Sequence, residues 1–586
     1  MEERSLGAVP HDLFKVVRWI GHAGHRLVER EFPGEAKGKY VVDSQTLEQI
    51  IERHHYRRNC PPEDLWEFLW IHADCLSTVA ARFRLEYDYW YRKQADPFFF
   101  RVYGDIKEWN KAERENLYND IKEILVYYCL KPEEHARAFE KINELLSEFP
   151  ADSRFPFTSL KTHHWLTHVL HNNEKFQFKV KEKPKSPKFE NVYLLRISIA
   201  EPEFHKLKEL RSFRELRFHI LQTAKARVAD WCPLQIGDDL YFVCLGLDEV
   251  NEVRQTLDGS GFGYDVDDFK WIIKRTKQAT KPNGKKQNIY FVKECNRTPY
   301  SVGVYEKFEY APKLAEYTDI LEGEYDYVAW ICIKPQGDMK HIAEEFLKNS
   351  EEKVLLKRYR EKRIPLKEPV VIKAEEYLSP ELALSIAEGY NEFLSDCTKI
   401  INETEPDACT IVKSFSEAWF VSGLKEPSDA FGIYTKLADK KEKLYMPILL
   451  VVTMAKPKYP FWRILELSKP LDADRLTFIV GDKMVELTGW HAQLIRNVIP
   501  FIQQERKRQF YRIVNAASRD DKEVLKVKID GLASERKLSR ETASKLCRLV
   551  DDVAEMVRRS GGGEESRKQT TGEIFKILRM FTQYGD

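Results

Sequence analysis

A mixed helix-and-strand fold of several domains is predicted by three features of the chain. Both ends, His11 to about Leu125 and Thr488 to Asp586, carry helical periodicity. Between them, Val192 to Leu245 reads strand, helix, strand. Ser414 to Glu466 repeats that order, with a hairpin strand at Ala418 to Val421, a helix at Ser428 to Leu437 and a strand at Met446 to Met454. The last is an unbroken β-branched and aliphatic run, which suits a sheet centre covered on both faces.

Length and composition bound the partners. At 586 residues the chain has room for several domains, taking about 150 residues for each. Its 43% hydrophobic and 32% charged content is that of a chain with substantial cores. A net charge of +1 confines any nucleic-acid surface to local patches. The longest apolar run, Met446 to Ala455, is half the roughly 20 residues a membrane span needs. Met1 to Pro10 lacks the charged-then-apolar order of a signal peptide. No membrane partner is expected. Ten cysteines are scattered without a Cys-x-x-Cys, which predicts a reducing cytoplasm, no structural zinc and no cofactor.

In the N-terminal helical part, three pieces stand out: Trp19-Ile20-Gly21-His22-Ala23-Gly24-His25-Arg26, then Ile50 to Arg58 with His54-His55, then Ile71-His72-Ala73-Asp74-Cys75-Leu76-Ser77. Their spacing resembles an HD-type phosphohydrolase domain. Such a domain uses a His-Asp dyad and further His and Asp residues to clamp two metals that make hydroxide and stabilise a phosphate. Here the dyad positions read Gly21-His22, or His22-Ala23 one residue along, and both lose the Asp. His54, His55, His72 and Asp74 form a transition-metal set on one reading. On the other they are polar remnants of a helical scaffold. His11-Asp12 reads as a helix start, where Asp12 faces the positive dipole end.

Glu148 to Pro156 (EFPADSRFP), followed by Ser159-Leu160-Lys161-Thr162-His163, predicts a crossing stiffened by two prolines, with Arg154 pairing to Asp152 or a carbonyl. His164, His168 and His171 share one helical face next to His163. No Asp or Glu sits among them, so a metal is not expected there. Lys181 to Lys188 (KEKPKSPK) reads as a linker.

The strand Val192 to Ile199 and a helix from Phe204 to Ala226, containing Leu210-Arg211-Ser212-Phe213-Arg214, lead to a hairpin strand, Gln235 to Leu245. The hairpin holds Ile236-Gly237-Asp238-Asp239. Asp238 and Asp239 are candidate metal-binding carboxylates. Metal-dependent nucleotidyl transfer also needs acids from the facing strand, and Arg196 to Ala200 offers none before Glu201. The alternative is a solvated turn, since Gly-Asp favours turns. Downstream, Lys270, Lys274, Arg275, Lys277, Lys281, Lys285 and Lys286 interleave with Trp271, Pro282, Asn283 and Gly284. This is a solvated loop or a phosphate-contacting surface. Lys353 to Arg363 carries the same pair of readings.

The strand Tyr325 to Ile333 is followed by Lys334-Pro335-Gln336, with Asp338 two residues on, and by a helix around Leu378-Ser379-Pro380, Leu384-Ser385 and Phe393-Leu394. The hairpin then reads Phe415-Ser416-Glu417-Ala418, with Trp419-Phe420-Val421 as its strand and Gly423 after it, and the later strand runs into Lys456 to Phe461 (KPKYPF). C-terminal helices are predicted over Ile499 to Val514, Asp521 to Ser534, Ser539 to Arg558 and Gly572 to Gln583. Ser539 serves as an N-cap, and Gly561-Gly562-Gly563 with Glu564 to Gln569 forms a flexible joint. No Walker A or nucleophile elbow occurs.

Taken in series, these segments resemble the large, cyclase-like subunit of type III CRISPR effector complexes. The resemblance implies an α+β fold: a degenerate HD-like helical domain (1–180), a first ferredoxin-like palm with a basic insertion (190–300), a second palm (301–487) and a C-terminal helical bundle (488–586). Active relatives carry Gly-Gly-Asp-Asp in the second-palm hairpin and Asp-x-Asp after its first strand. Here those positions are Phe415, Ser416, Glu417 and Ala418, and Lys334 to Gln336. The four-cysteine zinc site that relatives often hold is also absent from the sequence. The resemblance therefore implies a non-catalytic scaffold. It would grip the 5′ region of a guide RNA with its neighbours, meet target RNA or DNA alongside other effector subunits that supply the activity, and pack its bundle on small helical subunits; Lys274, Arg275, Lys277, Lys281, Lys285 and Lys286 are the candidate RNA-contacting residues. The rival is an enzyme: a cyclic oligoadenylate synthase using Asp238-Asp239, or a nuclease using His54, His55 and Asp74.

Overall fold

The computed structural model describes residues 107–128, 134–152, 155–184, 192–199, 221–258, 264–275, 290–302, 327–336, 380–404, 411–414, 418–444, 446–457, 459–468, 473–480, 483–503 and 507–581, with shorter pieces elsewhere. The mixed helix-and-strand expectation holds across these residues.

Helices α1 (Lys111–Tyr128) and α2 (His135–Leu146) precede a short antiparallel pair, β1 (Pro150–Asp152) and β2 (Phe155–Ser159). The stiff crossing predicted from the two prolines is this pair, closed by Leu160 N donating to Phe149 O at 2.7 Å. Helix α3 (Leu160–Asn172) starts where Ser159 Oγ accepts from Thr162 N. Helix α4 (Glu174–Glu182) starts where Asn173 accepts from Phe176 N at 2.9 Å. Both are side-chain caps of the kind that satisfies orphan helix N–H groups. Arg154 lies outside the described residues.

Two sheets follow, each built on a strand, helix, strand, strand, helix, strand order. The first comprises β3 (Val192–Ile199), the helical residues 221–227, β4 (Leu234–Ile236), β5 (Asp239–Cys244), α5 (Leu247–Asp258) and β6 (Tyr264–Arg275), with β7 (Tyr290–Val302) added beyond β6. Its strand order is β7-β6-β3-β5-β4, all antiparallel. The second comprises β8 (Tyr327–Pro335), α6 (Pro380–Thr404), β9 (Ile411–Ser414), β10 (Ala418–Leu424), α7 (Pro427–Lys441) and β11 (Ile448–Ala455). After α8 (Phe461–Leu467), β12 (Arg475–Val480) joins parallel to β11 and β13 (Lys483–Thr488) pairs with β12. The order is β9-β10-β8-β11-β12-β13. In both sheets the first strand is central, between the third strand and the sixth element of the repeat.

Sheet burial explains the apolar runs. Along β8, Ala329, Ile331 and Ile333 face one cluster with α6 and α7, while Val328, Trp330 and Cys332 face another with Ile464 and Ile479. A strand covered on both faces has no polar side to show. On the first sheet, Leu195, Ile197, Leu240 and Phe242 pack on one side with Val250 and Val253 of α5. Leu194, Tyr241 and Val243 pack on the other with Leu166, Leu170, Phe176 and Val180 of α3 and α4, and with Ala383 and Leu384 of α6. Helix α6 thus touches both sheets, since Leu382, Ile386 and Phe393 belong to the second core.

Three expectations change here. Of residues 270–300, the described stretches 270–275 and 290–300 are paired strand rather than loop: β6 and β7 run side by side, with Lys270 opposite Asn296 and Lys274 opposite Phe291. Alternation of charge with Phe269, Trp271 and Ile273 gives those lysines to a strand. The helix predicted over 499–514 is broken into α9 (Ile499–Ile502) and α10 (Lys507–Ala517), and α11 (Lys522–Ser534) follows. Finally, the expected flexible joint is a packed turn. Gly561, at φ +77°, closes α12 (Arg540–Arg559), and Gly562 N donates to Val557 O at 2.8 Å. Helix α13 (Glu564–Leu578) begins at once, with Arg567 only 4% exposed and donating to Asp520 O at 3.0 Å. The charge run is a helix start, not a tether. No helix among the described residues is long and apolar enough to cross a membrane.

Candidate functional site

The hairpin of the first sheet holds the acids that most resemble a metal site. Its turn is made by Gly237, at φ +62°, a left-handed conformation that glycine adopts without a Cβ penalty. A Cβ there would lie 2.7 Å from Asn391 Oδ1, so the turn is seated on α6. The facing strand β3 sets Ser198 opposite Asp239 and Arg196 opposite Tyr241. Arg196 Nε donates to Asp239 Oδ2 at 2.8 Å, with the two side chains 27% and 20% exposed. A divalent cation at this hairpin needs converging carboxylates. The first strand brings a guanidinium instead, and Asp239 is half-buried in an ion pair rather than displayed on a solvated turn.

In the second sheet, Lys334 and Gln336 are both exposed at the end of β8, where Gln336 N donates to Pro447 O at 2.9 Å. Ala418 is buried opposite Cys332, while Phe415, Ser416, Glu417 and Asp338 lie outside the described residues. Nearby carboxylates tie elements together. Asp474 accepts from Lys441 Nζ at 2.7 Å and Leu450 N at 2.9 Å, Asp439 pairs with Arg496 at 2.6 Å, and Asp396 takes Lys440 at 2.8 Å and the Tyr103 hydroxyl. Burial, with Asp474 adding to it, holds the Tyr434 hydroxyl protonated well above the usual phenol range.

Of the HD-like set, His72 and Asp74 are described, while Gly21, His22, His54 and His55 lie outside the described residues. His163 Nε2 is 3.4 Å from Asp74 Oδ1 and its Nδ1 is 3.6 Å from Glu381 Oε1, with both acids almost fully buried. Ser77 Oγ lies 3.2 Å from His163 Nδ1 and 2.8 Å from Thr167 Oγ1. The histidines of α3 therefore do have acidic neighbours, supplied by distant segments that local spacing cannot show. Each acid lies nearest a different ring nitrogen of His163. No group of three or more His, Cys, Asp or Glu among the described residues could hold a metal. His168 is pushed down to about 4 by burial, packed 5.0 Å from the Phe139 ring. His72 is also lowered by burial, against the raising effect of its 2.7 Å hydrogen bond with Pro184 O.

Of the basic candidates, Lys274 and Arg275 end β6 and Lys286 lies in a two-residue strand pairing with Ala279–Thr280. Lys277, Lys281, Lys285 and 353–363 lie outside the described residues. A feature the sequence reading passed over is the acidic stripe of α6. Glu388 meets Lys161 at 3.0 Å and Glu392 meets Arg101 at 2.6 Å, on the face that carries Glu381 and Asp396. Burial raises the Glu392 carboxyl against the opposing pull of Arg101. The spacing i, i+7, i+11, i+15 was visible as a single helical face.

No family model and no curated protein matches the chain. Among solved structures, it is similar to a chain of the "Csm1-Csm4 cassette in complex with cA3", at TM-score 0.54 and 10% identity, covering 99% of both chains. It is also similar to the same cassette "in complex with one ATP", at TM-score 0.52 and 11% identity, and to the apo cassette, at 0.52 and 12%, each over 99% of both chains. At such identities the likeness establishes the fold alone.

Proposed function

We propose that this chain is the large, palm-bearing subunit of a type III CRISPR effector complex, acting as a scaffold that has lost nucleotidyl chemistry. Its two sheets would be the palms, 1–180 the HD-like domain and 488–586 the bundle that meets small helical subunits. The full-length likeness to chains of the Csm1-Csm4 cassette supports the assignment to such a complex. The single observation that carries the loss of chemistry is the Arg196–Asp239 pair, which neutralises one of the two acids of the Asp238-Asp239 hairpin. An exposed Lys334 at the end of β8 adds to it, since a cation there repels the metal an Asp would hold. Partners on this reading are a guide RNA, other effector subunits and target RNA or DNA.

Co-purification of a discrete short RNA with the chain and its neighbours tests the assignment. Incubating that complex with ATP, Mg²⁺ or Mn²⁺ and matched target RNA tests the scaffold role. Cyclic oligoadenylate products, or cleavage of added single-stranded DNA that depends on Asp74, would replace it with the enzyme reading.

A further inference from the structure

Helix α4 presents an aromatic ring to solvent in a basic setting. Phe176 and Val180 are fully buried on its inner face, whereas Phe178 is 62% exposed. Its helical neighbours three residues away on either side are Lys175 and Lys181. Lys175 reaches Asp248 at 3.3 Å, which brings Leu247, 49% exposed at the first position of α5, to the same side. Lys181 and Lys183 are exposed and have no ion-pair partner among the described residues. Between Glu174 and Lys183 stand four lysines and two glutamates, in a chain whose net charge is +1. A local excess of cations is the condition for holding a polyanion.

We infer that the outer face of α4 is a stacking platform for single-stranded RNA, with Phe178 under one base and Lys181 and Lys183 on the flanking phosphates. This rests on the proposed function for the choice of RNA. The physics rests on the ring and its lysines: every base has a π-face, and cations along the backbone release counterions. A protein partner would favour a larger apolar patch than a ring and a leucine. A duplex would leave its bases stacked inside and the ring unused.

The test titrates the intact protein with fluorescent 20-nucleotide single-stranded RNA, unstructured and pyrimidine-rich, across a salt series. Phe178→Ala is expected to weaken binding about ten-fold while leaving Tm unchanged. Phe178→Trp keeps the parental affinity, and Phe178→Leu does not. Lys181→Gln with Lys183→Gln lowers the slope of log K against log salt by about 0.7 for each lysine. Parental affinity within two-fold for Phe178→Ala, or equal behaviour of the Leu and Trp variants, overturns the platform. Tighter binding of the matching DNA strand or of duplex RNA overturns the choice of single-stranded RNA. If the parental protein binds RNA and Phe178→Ala binds equally, this inference alone fails. If the parental protein binds no RNA, the proposed function fails with it.

Discussion

Arg196 on the first strand of the first sheet holds Asp239 of the facing hairpin at 2.8 Å. The pair turns a potential ligand for a divalent ion into a cross-strand link. Removing either partner takes a charge-assisted hydrogen bond from a half-buried group. Asp239→Ala and Arg196→Met are each expected to cost about 1–2 kcal/mol in urea unfolding, and the double variant less than their sum by about 1 kcal/mol. Strict additivity would show that the two side chains do not stabilise one another.

The same hairpin is anchored at its tip. Gly237 has φ +62°, and a Cβ there would stand 2.7 Å from Asn391 Oδ1. The clashing atom is the end of a flexible side chain, which can rotate away, whereas the left-handed backbone cannot change without moving the turn. Gly237→Ala is therefore expected to cost about 1–2 kcal/mol, mostly from the backbone term. Adding Asn391→Ala should recover only a small part. Full recovery would assign the cost to the contact with α6 instead.

Acid should weaken the N-terminal helices through His168. Its imidazole is buried and pushed down to about 4, with the Asn172 amide 3.1 Å from the ring. Between the unfolded value near 6.5 and that folded value, the unfolded chain binds a proton that the folded chain refuses. Stability is full above that window and falls as pH drops through it, by about 3 kcal/mol for this group. His72, lowered in the same direction, adds to the slope. Chemical denaturation at pH 7 and pH 5 should show a larger loss for the parental chain than for His168→Asn; identical losses would remove the histidine from the account.

Element order was legible because it is written in local periodicity: the strand at Val192–Ile199 is β3 residue for residue, and the run at Met446 to Met454 became β11 at Ile448–Ala455. The Asp238-Asp239 hairpin and its lack of facing acids were equally local. What the sequence could not show is who meets whom at long range. Asp74, His163 and Glu381 are brought together from positions 74, 163 and 381, and no spacing rule spans such distances. The glycine run at 561–563 misled for a different reason: composition says that the backbone can bend, and only packing says whether it does.

Two helical glycines give opposite signs for one substitution. In α11, nothing lies within 4 Å of a Cβ added at Gly531, so Gly531→Ala should stabilise the bundle by about 0.5–1 kcal/mol through reduced unfolded-state entropy and better helix propensity. In α13, a Cβ at Gly572 would meet Ser518 Cβ at 2.7 Å and its Cα at 3.0 Å. That neighbour is backbone at the end of α10 and cannot swing aside, so α13 would have to shift. Gly572→Ala is expected to cost about 1–3 kcal/mol despite the propensity gain. Ser518→Gly in the same chain should relieve the Cβ contact but not the Cα one, recovering part of the loss in thermal melts. If Gly572→Ala stabilises the protein as Gly531→Ala does, α13 does not lie against α10 as closely as these distances require.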